Sequence, residues 1–219
     1  EMLTFGRGGL PEQSKYEGTL GSLIKCYQTD PDSNFQKLRY KVRINTVYLL
    51  RRLSDMHGHE DLSEVKGRTI IAWHKIWTDG GVKKSMGGSF IGQLSAVLRF
   101  GRSILECPEC RRVSDVLSDL RFEGTAPRKS ALTSVQADAI RYKARIHFGW
   151  YSLALGQAFQ FEGTLRQKDV IGEWVPLSEP GVSAVISGEL KWIRGIDWSE
   201  VDENLILKHV TSKKQKETV

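Results

Sequence analysis

Four runs of apolar residues at three-and-four spacing, each closed by a breaker, fill residues 16–110 and leave that stretch little alternative to a compact helical bundle. Over 19–27 the run is Leu20, Leu23, Ile24 and Tyr27, and Asp30-Pro31-Asp32-Ser33 both stops it and caps the next helix. Over 34–55, Phe35, Leu38, Val42, Leu49 and Leu53 form one stripe expected to face a core. Met56-His57-Gly58-His59 reads as a turn whose histidines are expected to be exposed. The third run, 62–79, is built around Val65, Ile70, Ile71, Trp73 and Trp77 and ends at Gly80-Gly81. The fourth, 85–106, turns Phe90, Leu94, Val97, Ile104 and Leu105 inward, although Gly87, Gly88, Gly92 and Gly101 weaken it as a helix.

Beyond this bundle the pattern changes. Residues 111–131 mix Arg111, Arg112, Arg121 and Arg128 with serines, Gly124 and Pro127, and read as an interdomain linker. At the other end, the glycine-rich residues 1–15 read as an N-terminal arm. A second domain is expected over 132–219. Thr133 and Gln136 form a capping-box pattern opening a helix that runs to about Phe148. A markedly apolar helix over 150–163, carrying Leu153, Leu155, Ala158 and Phe161, is expected to cross a second core. Leu205-Ile206-Leu207 reads as a strand, Thr211-Ser212-Lys213-Lys214-Gln215-Lys216 as a hairpin tip, and Glu217-Thr218-Val219 as the start of the return strand. The expected class is therefore mainly α, a four-helix bundle followed by an α+β domain with a small antiparallel sheet.

A chain of 219 residues can bury one good core or two smaller ones, and 40% hydrophobic content is ordinary for a folded protein. The formal charge of +6 is compatible with an anionic partner. No apolar run reaches the ~18 residues of a membrane span, and the N-terminus lacks a secretory pattern, so a reducing, cytoplasmic setting without membrane is expected. The first residue is Glu1, which suggests a chain trimmed or excised from a longer one. Cys107-Pro108-Glu109-Cys110 has zinc-knuckle spacing, but no second pair follows, and a structural zinc needs four ligands. The expected state is two reduced thiols and no metal.

Two helix faces are basic. At about 100° per residue, Lys37, Lys41, Tyr48 and Arg52 fall together opposite the apolar stripe. Three cations around a tyrosine hydroxyl suit a phosphate backbone, and the same pattern also describes a solvated face. On the fourth helix, Arg99 and Arg102 lie on the outer side with Ser95, and Lys84 stands near its start.

In Gly163-Thr164-Leu165-Arg166-Gln167-Lys168-Asp169, Arg166 follows the apolar helix and opens another short one. A guanidinium there can grip two phosphate oxygens, and Asp169, one turn on, can fix it by a salt bridge. An ordinary Arg–Asp helix pair would have the same spacing. With Trp192, Asp197-Trp198-Ser199-Glu200-Val201-Asp202 and Leu205-Ile206-Leu207-Lys208-His209-Val210-Thr211-Ser212-Lys213 behind it, this order resembles the opening half of the catalytic domain of tyrosine recombinases, the phage-integrase family. The bundle is similar in size and position to that family's core-binding, SAM-like domain. Family members often read Thr-Gly-Leu-Arg, whereas Gly163 and Thr164 stand reversed here and Asp169 replaces the usual Glu. The interval from Asp169 to Trp198, with Pro176, Pro180 and Gly181, is longer than the family's and reads as an insertion.

The resemblance implies site-specific DNA recombination through a 3′-phosphotyrosyl link, with no metal or nucleotide cofactor, by a full-length protein that assembles with itself on double-stranded DNA. It implies that Arg166 stabilises charge on the phosphate and that Asp169 supports it. Lys213, with Lys214 and Lys216 as alternatives, protonates the departing 5′ oxygen. Lys37, Lys41, Tyr48, Arg52, Lys84, Arg99 and Arg102 then become DNA contacts. The family's His-x-x-Arg box, its later His or Trp and its tyrosine nucleophile belong downstream of the hairpin, and all six tyrosines precede Arg166. These 219 residues are therefore expected to bind DNA rather than cleave it. A non-catalytic DNA-binding adaptor and a helical protein-interaction module are the competing expectations.

Overall fold

The computed structural model describes residues 14–127 and 129–212 and the backbone of 217–218. Apart from Ser14 and Lys15, the expected arm lies outside the described residues. The chain forms two compact units, Glu1–Pro127 and Arg128–Val219. Eight α-helices dominate the described residues, with a small antiparallel sheet in the second unit.

In the first unit, α1 (Leu20–Thr29) starts where the Thr19 hydroxyl accepts the Ser22 amide and buries Leu20, Leu23, Ile24 and Tyr27. The long helix expected over 34–55 is broken. Asn34–Lys37 is a single 3-10 turn, and α2 (Tyr40–His57) begins after Leu38 and Arg39, both in extended backbone. The break re-aims the stripe: Thr46, Leu49, Leu50 and Leu53 face the core, while Val42 is 47% exposed. In α3 (Gly67–Trp77), Ile70, Trp73 and Trp77 are buried, and Ile71, expected inward, is exposed. Helix α4 (Lys84–Ser103) packs Phe90, Leu94, Val97 and Leu98 inward and ends before Ile104, which is exposed rather than buried.

A fifth helix occupies the start of the expected linker. Cys107 caps α5 (Pro108–Asp119), Pro108 takes the first turn where a missing N–H costs nothing, and Cys110, Val113 and Leu117 are buried. Arg112 then ties α5 to the segment before α3 through the carbonyls of Leu62, Ser63 and Val65. Among the described residues, the connection without helix or strand is thus confined to 120–127 and 129–133.

His57 departs from its expected role as an exposed turn residue. It closes α2, stacks on Trp73 at 4.4 Å between ring centres, and its Nε2 accepts the Trp77 indole N–H at 3.2 Å. Burial holds its pKa below the ordinary histidine value. Its contribution is therefore complete above about pH 6.5, the unfolded value, and is lost as pH falls and the unfolded chain takes up the proton first. His57→Gln, which keeps an acceptor for Trp77 but does not titrate, should flatten the fall of the unit's melting midpoint as pH drops below about 6.5. An unchanged slope in that variant would contradict this account.

In the second unit, α6 (Ser134–Ile146) carries the expected Thr133–Gln136 capping box. Helix α7 (Tyr151–Phe161) does not cross a core. It packs on α6 and on α8 (Gln167–Ile171), burying only Ala154, while Leu153 and Leu155 stay exposed. Among the described residues, no other helix or strand packs broadly on it. The residues read as an insertion form a three-stranded sheet of order β1-β3-β2, from β1 (Glu173–Pro176), β2 (Ile186–Ser187) and β3 (Leu190–Ile193). Trp174 faces Trp192 across the central antiparallel pair. The expected strand over 205–207 is reduced to one bridge, Val201 to Leu207, because Leu205 takes φ 61° in a turn. The paired strands lie just beyond, β4 (His209–Val210) against β5 (Glu217–Thr218).

Candidate functional site

Helix α8 is anchored on the sheet before it presents any chemistry. Gly172 ends it at φ 68°, and a Cβ there would lie 2.5 Å from the Trp192 indole nitrogen. That nitrogen donates to the Ile171 carbonyl at 2.8 Å, and the Ile196 amide donates to Val170. Buried Glu173 receives Lys168 from α8 and Arg194 from the end of β3. Burial pushes the Glu173 carboxyl up, but those two cations outweigh it and hold it below the ordinary value. Buried Lys191 donates to the carbonyls of Leu177, Glu179 and Gly181, so the loop after β1 wraps an ammonium instead of water.

So anchored, α8 points its two faces differently. Arg166, the N-cap, keeps a side chain 51% exposed, whereas Asp169 is fully buried. Asp169 Oδ1 accepts the Ser212 amide at 2.7 Å, and Oδ2 faces Arg166 Nη1 at 3.8 Å with no hydrogen-bond partner among the described residues. Burial pushes the Asp169 carboxyl up; the Ser212 bonds and the charges of His209 and Arg166 overcome this and hold it below the usual carboxylate value. One ionised carboxylate thus binds an exposed guanidinium and the entrance of a hairpin 43 residues away.

His209 on β4 completes the cluster. Its Nδ1 lies 3.1 Å from both Glu200 oxygens, and its buried Nε2 has no hydrogen-bond partner among the described residues. Glu200 is itself fixed by a capping box with Asp197. Sequence reasoning gave no role to His209, Glu200, Glu173 or Lys191. His209 lies on a strand of only two residues, too short for alternation to mark it as inward-facing.

Backbone strain sits just before Arg166. Thr164 takes φ 51°, a region a β-branched residue rarely occupies, while its neighbour Gly163 does not use its freedom there. Thr164→Gly should raise the stability of the second unit by about 1 kcal/mol, strain relief exceeding the added chain entropy. Urea unfolding followed by hydrogen exchange in α8 measures it, and a lowered midpoint would contradict the strain.

The basic residues of the first unit separate into several groups. Lys41, Tyr48 and Arg52 share a face of α2, Lys41 and Tyr48 exposed, with Arg52 lying over the rings of Tyr48 and Phe90 at 5.7 and 5.3 Å. Lys37 is exposed but belongs to the preceding 3-10 turn, not to that face. On α4, Lys84 pairs with Glu123, Arg102 with Asp115, and Arg99 bonds back to Ser95. Lys84 and Arg102 stand about 27 Å apart along the helix, so they do not form one patch. Lys213, Lys214 and Lys216 lie outside the described residues. No three His, Cys, Asp or Glu side chains among the described residues converge as metal ligands, and no described helix is long and apolar enough to cross a membrane.

No protein-family model, no curated protein and no solved structure matches this chain.

Proposed function

We propose that this chain is a duplex-DNA-binding portion of a site-specific tyrosine recombinase. In this reading the first unit is a SAM-like core-binding bundle and the second is the opening half of a catalytic domain. The bond from the Ser212 amide to Asp169 carries the reading, because it joins the Arg166 segment to the turn that leads into Lys213. Arg166 is half exposed and backed by a buried anion, which suits a guanidinium held for a phosphate rather than spent on the protein's own surface.

Each residue then has a task. Arg166 stabilises negative charge on the attacked phosphate, and Asp169 holds it and the hairpin in one frame. Lys213 protonates the departing 5′ oxygen. Lys41, Tyr48 and Arg52, with Lys37 beside them in sequence, hold the backbone and read no sequence. Exposed Phe148, Trp150, Tyr151 and Leu153 fit a half-domain whose apolar side meets further protein. Within these 219 residues no tyrosine follows Arg166, so the activity expected of them is binding without strand cleavage.

The test is fluorescence anisotropy with two duplexes of unrelated sequence and an acidic protein as control. Binding of both duplexes at low ionic strength, weakened by salt, is the expected result. Absence of duplex binding beside tight binding of the acidic protein would replace the reading with a helical protein-interaction module.

A further inference from the structure

We propose that Cys107 and Cys110 form a redox-active dithiol, closing reversibly to an intramolecular disulfide by exchange with a small anionic disulfide of the glutathione type. The inference stands apart from DNA binding. Three observations carry it. Cys107 caps α5 and Cys110 is the third residue of its first turn, with the Cys110 amide donating to Cys107 Sγ at 3.3 Å. Residues three apart on a helix lie within the about 4.4–6.8 Å Cα separation that a disulfide spans. The Tyr16 hydroxyl lies 3.5 Å from Cys107 Sγ, contributed by a segment far from the helix amides in sequence.

The two sulfurs differ in a way that suits attack by one and resolution by the other. Burial pushes the Cys107 thiol up, but bonds from the Tyr16 hydroxyl, from the Cys110 thiol and from the amides of Cys110 and Glu109 outweigh it, leaving it below the ordinary value. Burial raises Cys110, and the neighbouring Cys107 raises it further. Cys107 retains 7% exposure while Cys110 has none. Cys110 is seated against α4 where Gly101 has no side chain; a Cβ there would come within 2.5 Å of its sulfur. Pro108, next to Cys107, lines an open groove of about 900 Å³ that also holds Arg102, Arg111 and Arg112 together with Glu106 and Asp115. The three arginines outnumber Glu106 and Asp115 in that groove, which favours approach of a disulfide bearing carboxylates. Cys26, also buried, bonds to the Ser14 carbonyl and has no role in the exchange.

The exchange balances in two steps. Cys107 thiolate attacks one sulfur of the small disulfide, the S–S bond breaks, and one thiolate leaves and takes up a proton. Cys110 then loses its proton and its sulfur attacks Cys107 Sγ, releasing the second small thiol. Two protein thiols are oxidised and one small disulfide is reduced to two thiols.

The experiment equilibrates the 219-residue protein with graded ratios of oxidised to reduced glutathione, then alkylates free thiols and maps them by mass spectrometry, with circular dichroism checking that the fold persists. The expected product is one Cys107–Cys110 disulfide with Cys26 still alkylated. Cys110→Ser should stop at a glutathione adduct on Cys107, and Cys107→Ser should form no adduct at position 110. Tyr16→Phe should move the alkylation rate of Cys107 to higher pH. Free alkylation of Cys107 and Cys110 in the folded protein at every ratio would overturn the proposal, as would a disulfide that includes Cys26. An adduct-free Cys110→Ser would do the same.

Discussion

Replacing Lys37 and Lys41 together with alanine should weaken duplex binding roughly 10–100-fold at 0.1 M salt and make the salt slope shallower by about 1.8, since each phosphate contact contributes about −0.9. Both side chains are exposed, so their loss costs the fold little. The weakening should be the same for unrelated sequences, because phosphate contacts position the duplex without reading bases. Lys84 and Arg102 are different: each already has a carboxylate partner, Glu123 or Asp115, that must be given up before it can reach DNA. Alanine at either should therefore change affinity less than alanine at Lys41. The measurement is anisotropy across a salt series. A double variant with an unchanged slope would remove the α2 face from the interface, and a loss confined to one sequence would mean that these residues read bases.

Asp169→Ala should destabilise the second unit by about 3 kcal/mol, the scale for removing one partner from a buried charged network. The variant leaves the Ser212 amide without its acceptor and Arg166 without its counter-ion. Asp169→Asn separates the two effects, since an amide oxygen can still accept from Ser212 but carries no charge for Arg166. Native Asp169 has a lowered pKa, so its contribution is complete above about pH 3.8 and is lost as pH falls through the folded value. The Asn variant should lack that acid limb. Hydrogen exchange at residues 167–171 and at Ser212 reports on this unit specifically. If Asp169→Ala leaves exchange at Ser212 unchanged, the hairpin is held by something else and the candidate site loses its frame.

The helical bundle was legible because its stripes are long and their breakers strong, as at Asp30-Pro31 and Gly80-Gly81. Helix α5 was not, because Cys110, Val113 and Leu117 are embedded among arginines and serines whose composition suggested a linker. The opposite error occurred at α7, where apolar content implied burial, yet only Ala154 is buried. Hydrophobicity reports what a helix can bury, and the elements packed on it decide what it does bury. His57 makes the same point for a polar side chain: adjacent to Gly58 it has the local signature of a turn residue, and the Trp73 and Trp77 rings enclose it.

By itself the sequence determined local matters: the cap at Thr133, the order of the helices it marked, and a guanidinium three residues ahead of a carboxylate. These depend on neighbours within a turn or two, where spacing and side-chain chemistry suffice. Only the tertiary structure decided that Asp169 is buried and that its second partner is an amide 43 residues along the chain. It likewise decided that His209 lies buried against Glu200. Such pairings come from how α8, the sheet and the hairpin pack, and a burial free energy shared among distant segments leaves no periodic trace in any one of them.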